Sequence, residues 1–334
     1  MKQPKDLSLY HTSMASFGNE ERLDMKKPRH AIWYENSFGR NDGSPLYYFN
    51  VLKNQMKLDI KHLAPHGETS QFGKFDFHWW IDWGEDGLPW TEWEIPKDGG
   101  KTIYVASDTH LGKDYRFRKA MDFDYVFFNQ KDAVDKYNSM ISKLVADKKM
   151  ISHQPPAILL PHAAEPKAYP NINIIKKYDV GFVGHVQETP NYNGITRVDA
   201  LDRLFKEFPN FYYGSRHPGY PEKNLFEDAA KKFSMSKVVF NISIKDDINM
   251  RCFETLSTGS FLLTNWIPTL EDLFKDGKHL VTYKTLDEMV EKTKYYLKHD
   301  AKREKIAKAG HDEFMKKHTY KHRIEKILDT VKTS

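Results

Sequence analysis

Between Ser236 and Thr264 the chain reads SKVVFNISIKDDINMRCFETLSTGSFLLT, a segment that concentrates residue types able to handle a phosphorylated ligand. Val238–Ile242 has the apolar run of a strand, followed by a polar turn. A helix is expected to open near Asp247–Asn249 and to end at Gly259, where glycine supplies a left-handed C-cap. A helix N-terminus that faces a cleft binds anions, because its first amides lack intrahelical partners and its dipole favours negative charge. The backbone around Asp247, Asn249 and Met250 would offer those amides, and Arg251 in the first turn would add a charge-assisted bond to phosphate. Glu254 stands further along, where a carboxylate can accept from both hydroxyls of a ribose. An ordinary capped helix, with Asp247 as its cap, Arg251 in solvent and Glu254 paired to a lysine, accounts for the same residues equally well.

Other segments carry weaker signals. DVGFVGHVQETPNYNGITR (Asp179–Arg197) runs a strand into Gly184, and a residue without a side chain lets backbone approach a phosphate or sugar. A tight turn with an incidental His185 explains it as well. In YGSRHPG (Tyr213–Gly219), Arg216 and His217 would lie beside a base or be surface residues. In SFGRNDGSPLYYF (Ser37–Phe49), Gly39 and Gly43 loosen a turn and Pro45 suits the first turn of a helix. The G-x-G-x-x-G spacing of a dinucleotide site is missing. IDWGED (Ile81–Asp86) brings three acids together, a set that could bind a divalent metal, although a solvated acidic loop is commoner. In SDTHLG (Ser107–Gly112) the spacing of Asp108 and His110 permits a carboxylate-oriented histidine that takes a proton from a hydroxyl. It equally permits Asp108 as a helix N-cap. His318 and His322 stand four apart without a ligand-rich setting and are read as structural.

Elements must position these residues, and the sequence marks them. Short apolar runs recur at His30–Tyr34, Leu58–Ala64, Phe75–Ile81, Thr102–Ala106, Tyr125–Phe128 and Ala157–Leu160. A second series follows at Val180–Val183, Phe211–Tyr213, Val238–Ile242, Phe261–Thr264 and His279–Tyr283. Helical stretches separate many of them, so the pattern predicts parallel sheets covered by helices. The proline-rich stretch LPHAAEPKAYPN (Leu160–Asn171) divides two α/β halves of similar size, with a ligand cleft expected between them at the carboxyl ends of the strands. Thr285 and Glu288 form a capping box for a helix, and Ile324, Ile327, Leu328 and Val331 keep helical spacing in a last one.

The 334 residues suit about two domains. A formal net charge of +5 fits an anionic ligand and does not demand nucleic acid. The single cysteine, Cys252, excludes an internal disulfide and a multi-cysteine zinc site. No apolar run reaches the roughly eighteen residues of a membrane span, and the first residues lack a signal-peptide core, so a cytoplasmic protein is expected.

The segment NISIKDDINMRCFETLSTGSFLLTN resembles the spore-maturation (CgeB-like) glycosyltransferase family, as do FDFHWWIDWGED, SDTHLG, YDVGFVGH and the terminal HTYKHR, in the same order. Asp246, seven residues and Glu254 look like the carboxylate signature of GT-B glycosyltransferases. The resemblance implies two Rossmann-like domains with parallel sheets facing a central cleft: residues 1–165 for the acceptor, 178–315 for the donor, and a terminal helix, 316–334, packed back on the fold. It implies a nucleotide-sugar co-substrate, UDP-linked, with Glu254 on the ribose and Asp246 (or its neighbour Asp247) on the sugar side. Gly184, His185, Arg197 and Arg216 become donor contacts. The enzymes it resembles place a loop such as Ser37–Phe49 over the donor phosphates or acceptor, and from this alone Arg40 and Asp42 become candidates. Asp108 and His110 become candidate bases, needed only if the reaction inverts configuration; the carboxylate signature favours retention. Mg²⁺ is admissible but not expected to be essential, and no metal ligands are assigned. The acceptor is a glycan, a small molecule or, alternatively, a hydroxymethylated base in DNA; a catalytically inactive nucleotide-sugar-binding protein is the remaining alternative.

Overall fold

The computed structural model describes residues 28–33, 43–63, 73–82, 98–109, 113–147, 154–186, 188–214, 229–245 and 247–333. Each apolar run becomes a strand. The first sheet contains β1 (Arg29–Trp33), β2 (Asp59–Leu63), β3 (Phe77–Asp82), β4 (Lys101–Ala106), β5 (Tyr125–Phe128) and β6 (Ala157–Leu159) in the order β2-β1-β3-β4-β5-β6. The second contains β7 (Tyr178–Val183), β8 (Phe211–Gly214), β9 (Ser236–Asn241), β10 (Leu262–Asn265) and β11 (Val281–Tyr283) in the order β11-β10-β9-β7-β8. Every pairing between these strands is parallel. Parallel strands are covered on both faces, which is why they read as continuous apolar runs instead of alternating. Thr102–Ala106 and Val238–Asn241 are buried at every residue.

The helices are α1 (Ser44–Asn50, continued by a π turn over Val51–Gln55), α2 (Lys113–Ala120), α3 (Lys131–Ala146), α4 (Arg197–Glu207), α5 (Ala229–Met235), α6 (Met250–Ser257), α7 (Leu286–Lys298), α8 (Asp300–Lys317) and α9 (Tyr320–Lys332). Pro45 sits in the first turn of α1 as expected. Thr285 caps α7 by accepting from the Glu288 amide, but the Glu288 carboxylate accepts from Lys284 N at 2.7 Å instead of closing the box on Thr285.

Helix α9 returns to the first sheet. Its Tyr320 hydroxyl meets Ser44 Oγ at 2.9 Å and its ring packs against Tyr47 and Tyr48. Arg323 donates to the carbonyls of Pro161 (2.7 Å) and His162 (2.8 Å), and Lys326 to that of Leu159 (2.8 Å). One apolar core therefore runs from Ile32 and Trp79 through Ile324 and Ile327 to Val239 and Leu262. Among the described residues no helix is long and apolar enough to cross a membrane.

Two buried histidines make this core acid-sensitive. His30 Nδ1 accepts from Trp79 Nε1 at 3.1 Å, and His318 Nδ1 accepts from Arg323 Nη2 at 3.1 Å. Burial pushes them down to about 4 and about 3, respectively, and Arg323 adds to the effect on His318. Because the unfolded rings titrate near 6.5, the stability these neutral rings contribute is complete above that pH and is lost as pH falls towards the folded values. Urea unfolding should therefore show a loss on the order of several kcal/mol between pH 7 and pH 4. Replacement of His318 by Gln should flatten the curve; equal pH dependence in the variant would sink the assignment.

Candidate active site

A cavity of about 210 Å³ lies between the two halves, lined by α1, the end of β4, the linker and the β9–α6 segment. From the C-terminal half it takes Val183, Arg197, Asp247, Asn249, Met250, Arg251 and Glu254. From the N-terminal side come Gly43, Ser44, Tyr47, Ser107, Asp108, His162 and Tyr169. The cleft forms at the carboxyl ends of β4, β7 and β9, where the amides and loops of a parallel sheet converge.

Helix α6 opens at Asn249, whose side chain does not cap it, so its first amides are not taken by a side chain of that residue. Gly259 ends the segment with φ +69. Arg251 is not a solvated surface cation. Its Nε donates to Val183 O at 2.5 Å, its Nη1 to Asn241 Oδ1 at 2.7 Å, and its guanidinium carbon stands 4.4 Å from the Phe182 ring centroid. Gly184 makes room for it: a Cβ at that position would lie 1.8 Å from Arg251 Nη2. The glycine thus serves the arginine, a reason the sequence did not disclose.

Arg197 begins α4 behind the capping box of Thr196 and Asp199. It donates from Nε to Ile242 O and from Nη1 to His185 O, both at 3.0 Å. Burial and then the neighbouring Arg251 push Arg197 down to about 9. Burial lowers Arg251 too, with Glu254 acting against it. A guanidinium keeps its charge at neutral pH, so a buried Arg197 and a half-buried Arg251 share one cavity with the N-terminus of α6, offset only in part by Asp247 and Glu254, and the site favours an anion. Glu254 lines the same cavity one turn beyond Met250.

Several expected contributors stand elsewhere. His185 is exposed and presents its carbonyl to Arg197. Asp82 is held in a buried pair with Arg116, with oxygens 3.2 Å from Nε and Nη2, and accepts from Tyr104 at 2.5 Å. Cys252 is buried and its thiol is pushed up to about 12 by burial, so it packs and does not attack. His318 is buried and His322 Nδ1 caps α9 through Thr319 Oγ1 at 2.8 Å. Arg40, Asp42, His110, Arg216, His217 and Asp246 lie outside the described residues.

Sequence reasoning missed Asn241, which anchors both Arg251 and, at 3.2 Å, Asn249. Its place at the last position of a buried strand was the available signal, since an amide there needs partners. It also missed His162, Ser44 and Tyr169; His162 and Tyr169 sit in the proline-rich stretch that reads as a linker.

The model of the glycosyl transferase-like family matches residues 197–329. No curated protein matches the sequence. Solved structures share the fold at low identity. HepE of Anabaena, in complex with UDP and glucose, aligns with TM-score 0.57 and 10% identity over 92% of this chain and 100% of its own. The sucrose-phosphate synthase of Thermosynechococcus elongatus aligns with TM-score 0.58 and 8% identity over 92% and 99%. An alpha-glucosyltransferase in complex with UDP and a 13-mer DNA containing an HMU base aligns with TM-score 0.59 and 9% identity over 91% and 99%. With two parallel Rossmann-like sheets in the GT-B arrangement and a C-terminal half that matches the glycosyl transferase-like family, the protein is an enzyme of the glycosyltransferase class.

Proposed function

We propose that the protein moves a sugar from a UDP-linked donor to an acceptor hydroxyl, with retention of configuration, as a cytoplasmic member of the CgeB-like group. The observation that carries the donor side is the pair of guanidiniums, Arg197 buried and Arg251 half-buried, that line one cavity with the first turn of α6. Fixed cations and amides stabilise the diphosphate as it leaves without having to reorganise. Glu254 takes the ribose hydroxyls, and Asp246 or Asp247 stands on the sugar side. In a retaining transfer the glycosidic bond to the diphosphate breaks, the acceptor oxygen bonds the anomeric carbon from the same face, and the acceptor proton passes to the leaving diphosphate oxygen. Asp108 and His110 orient the acceptor; inversion would instead make one of them the base. Closure of the cleft limits hydrolysis of the donor.

A modified base in DNA is the second reading of the acceptor, favoured by the DNA-bound alpha-glucosyltransferase among the structural relatives and by the net charge of +5. Affinity for duplex DNA that falls steeply with salt would support it.

The test is a thermal-shift screen against nucleoside diphosphates and their sugars, with and without Mg²⁺, since a ligand that binds only the folded state must raise the melting temperature. UDP and one UDP-sugar should shift it. Glu254→Ala should weaken donor binding at least tenfold with the fold intact; an unchanged affinity would remove Glu254 from the ribose.

A further inference from the structure

Asp108, His162 and Asp247 come from three separate places: the end of β4, the stretch after β6, and the β9–α6 turn. Each offers a donor atom, and these atoms lie within 4.8 Å of one another. All three side chains line the cleft cavity, and His162 and Asp247 are buried. Three donors about 2.1 Å from one octahedral ion lie about 3 to 4.2 Å apart, so a small approach of the two halves completes the site. Asp108 holds the left-handed backbone conformation, φ +50, that aspartate tolerates better than most residues.

We propose that these three residues bind a divalent cation of the Mn²⁺ class across the cleft. Arg197 lies in the same cavity, so the case for an ion rests on the convergence of three donor atoms and not on unbalanced charge. The mixture of two oxygen donors and one imidazole suits Mn²⁺ better than Mg²⁺, which prefers oxygen alone, and the absence of thiolate disfavours soft ions. Asn129 supports the imidazole. Its amide nitrogen is in hydrogen-bond contact with His162 Nε2, while its Oδ1 is buried without a partner. Amide orientation is assigned from such bonding. Turned over, Asn129 accepts the Nε2 proton and leaves the Nδ1 lone pair for the ion, the outer support that a ligating histidine uses.

Three protein donors leave coordination positions open towards the cavity. Diphosphate oxygens of the donor would fill them, a part of the proposal that rests on the donor reading above; with the ion bound, Asp108 and Asp247 serve as its ligands in place of the acceptor-side and sugar-side roles given them there. The ligands come from both sides of the cleft, so cation binding and closure are one event, and the ion links them without being the source of the chemistry.

The full chain, stripped with chelator, is titrated with Mn²⁺ alone and followed by the electron paramagnetic resonance signal of the free ion. One ion per chain is expected at micromolar concentrations. His162→Ala and the near-isosteric Asp108→Asn should each weaken it at least tenfold while their metal-free melting curves match the wild type. If either variant melts early, Asn129→Leu, which leaves the three ligands in place, should still weaken binding severalfold. Wild-type chain that takes up no stoichiometric Mn²⁺ below millimolar concentration overturns the site, as does undiminished binding in both ligand variants. Adding UDP should tighten Mn²⁺ at least tenfold. Stoichiometric binding that depends on His162 but ignores UDP would uphold the cation site and count against the diphosphate reading.

Discussion

Arg251→Lys is expected to lower kcat/KM for the nucleotide-sugar by about a hundredfold, on the order of 3 kcal/mol of transition-state stabilisation. The guanidinium works here as a plane. Two of its nitrogens are committed to Val183 O and Asn241 Oδ1, one face stacks on Phe182, and Nη2 fills the space that Gly184 leaves. A lysine reaches the same region with a point charge and cannot satisfy the carbonyl, the amide and an anion at once. Losing the donor to the buried Val183 carbonyl should also lower the melting temperature modestly, so the kinetic loss is read well below the variant's melting temperature. Steady-state kinetics on the donor identified by thermal shift would check this. A loss below threefold would mean that Arg251 holds β7 against α6 and has no part in the diphosphate site.

Arg323→Met should cost the fold about 2 to 4 kcal/mol, since each buried acceptor left without its donor costs about 1 to 3 kcal/mol and loss of the buried charge returns part of it. The guanidinium is buried and donates to the carbonyls of Pro161, His162 and Lys317, with burial holding it down near 10. Methionine matches the volume but leaves those carbonyls without their donor inside a low-dielectric core. It also frees His318 Nδ1 from its bond to Nη2. Urea unfolding at neutral pH measures the difference. A cost under 1 kcal/mol would show that α9 is held by its apolar face alone, through Ile324, Ile327 and Val331. Because Arg323 grips the backbone of His162, the variant should also loosen the cleft lining in native-state hydrogen exchange.

The local elements were legible in the linear order of residues. Runs such as Thr102–Ala106 and Val238–Ile242 announce doubly covered parallel strands because both faces of the sheet exclude water. Gly259 and Thr285 end and begin helices through bonds to atoms a few residues away, and the spacing of Ile324, Ile327 and Val331 marks the buried stripe of α9. Each of these depends on near neighbours, and near neighbours are what a linear pattern records. The linear pattern also drew attention to Arg251, Glu254, Gly184 and Arg197, which the fold gathers around one cavity, all but Gly184 forming its lining.

How those residues are used follows from packing between distant segments. Asp82 looks like an acid at the edge of the cleft, yet Arg116, brought alongside by α2, consumes it in a buried pair. Gly184 looks like a place for a ligand, yet the arginine occupies its missing Cβ. His162 carries no signal in a stretch rich in proline, and it meets Asp108 and Asp247 only because β4, β6 and β9 end on the same side of the cleft. Burial and charge pairing are set by distances between segments far apart in the chain. No periodicity encodes those distances, and they become fixed only when the two sheets and α9 pack around a shared core.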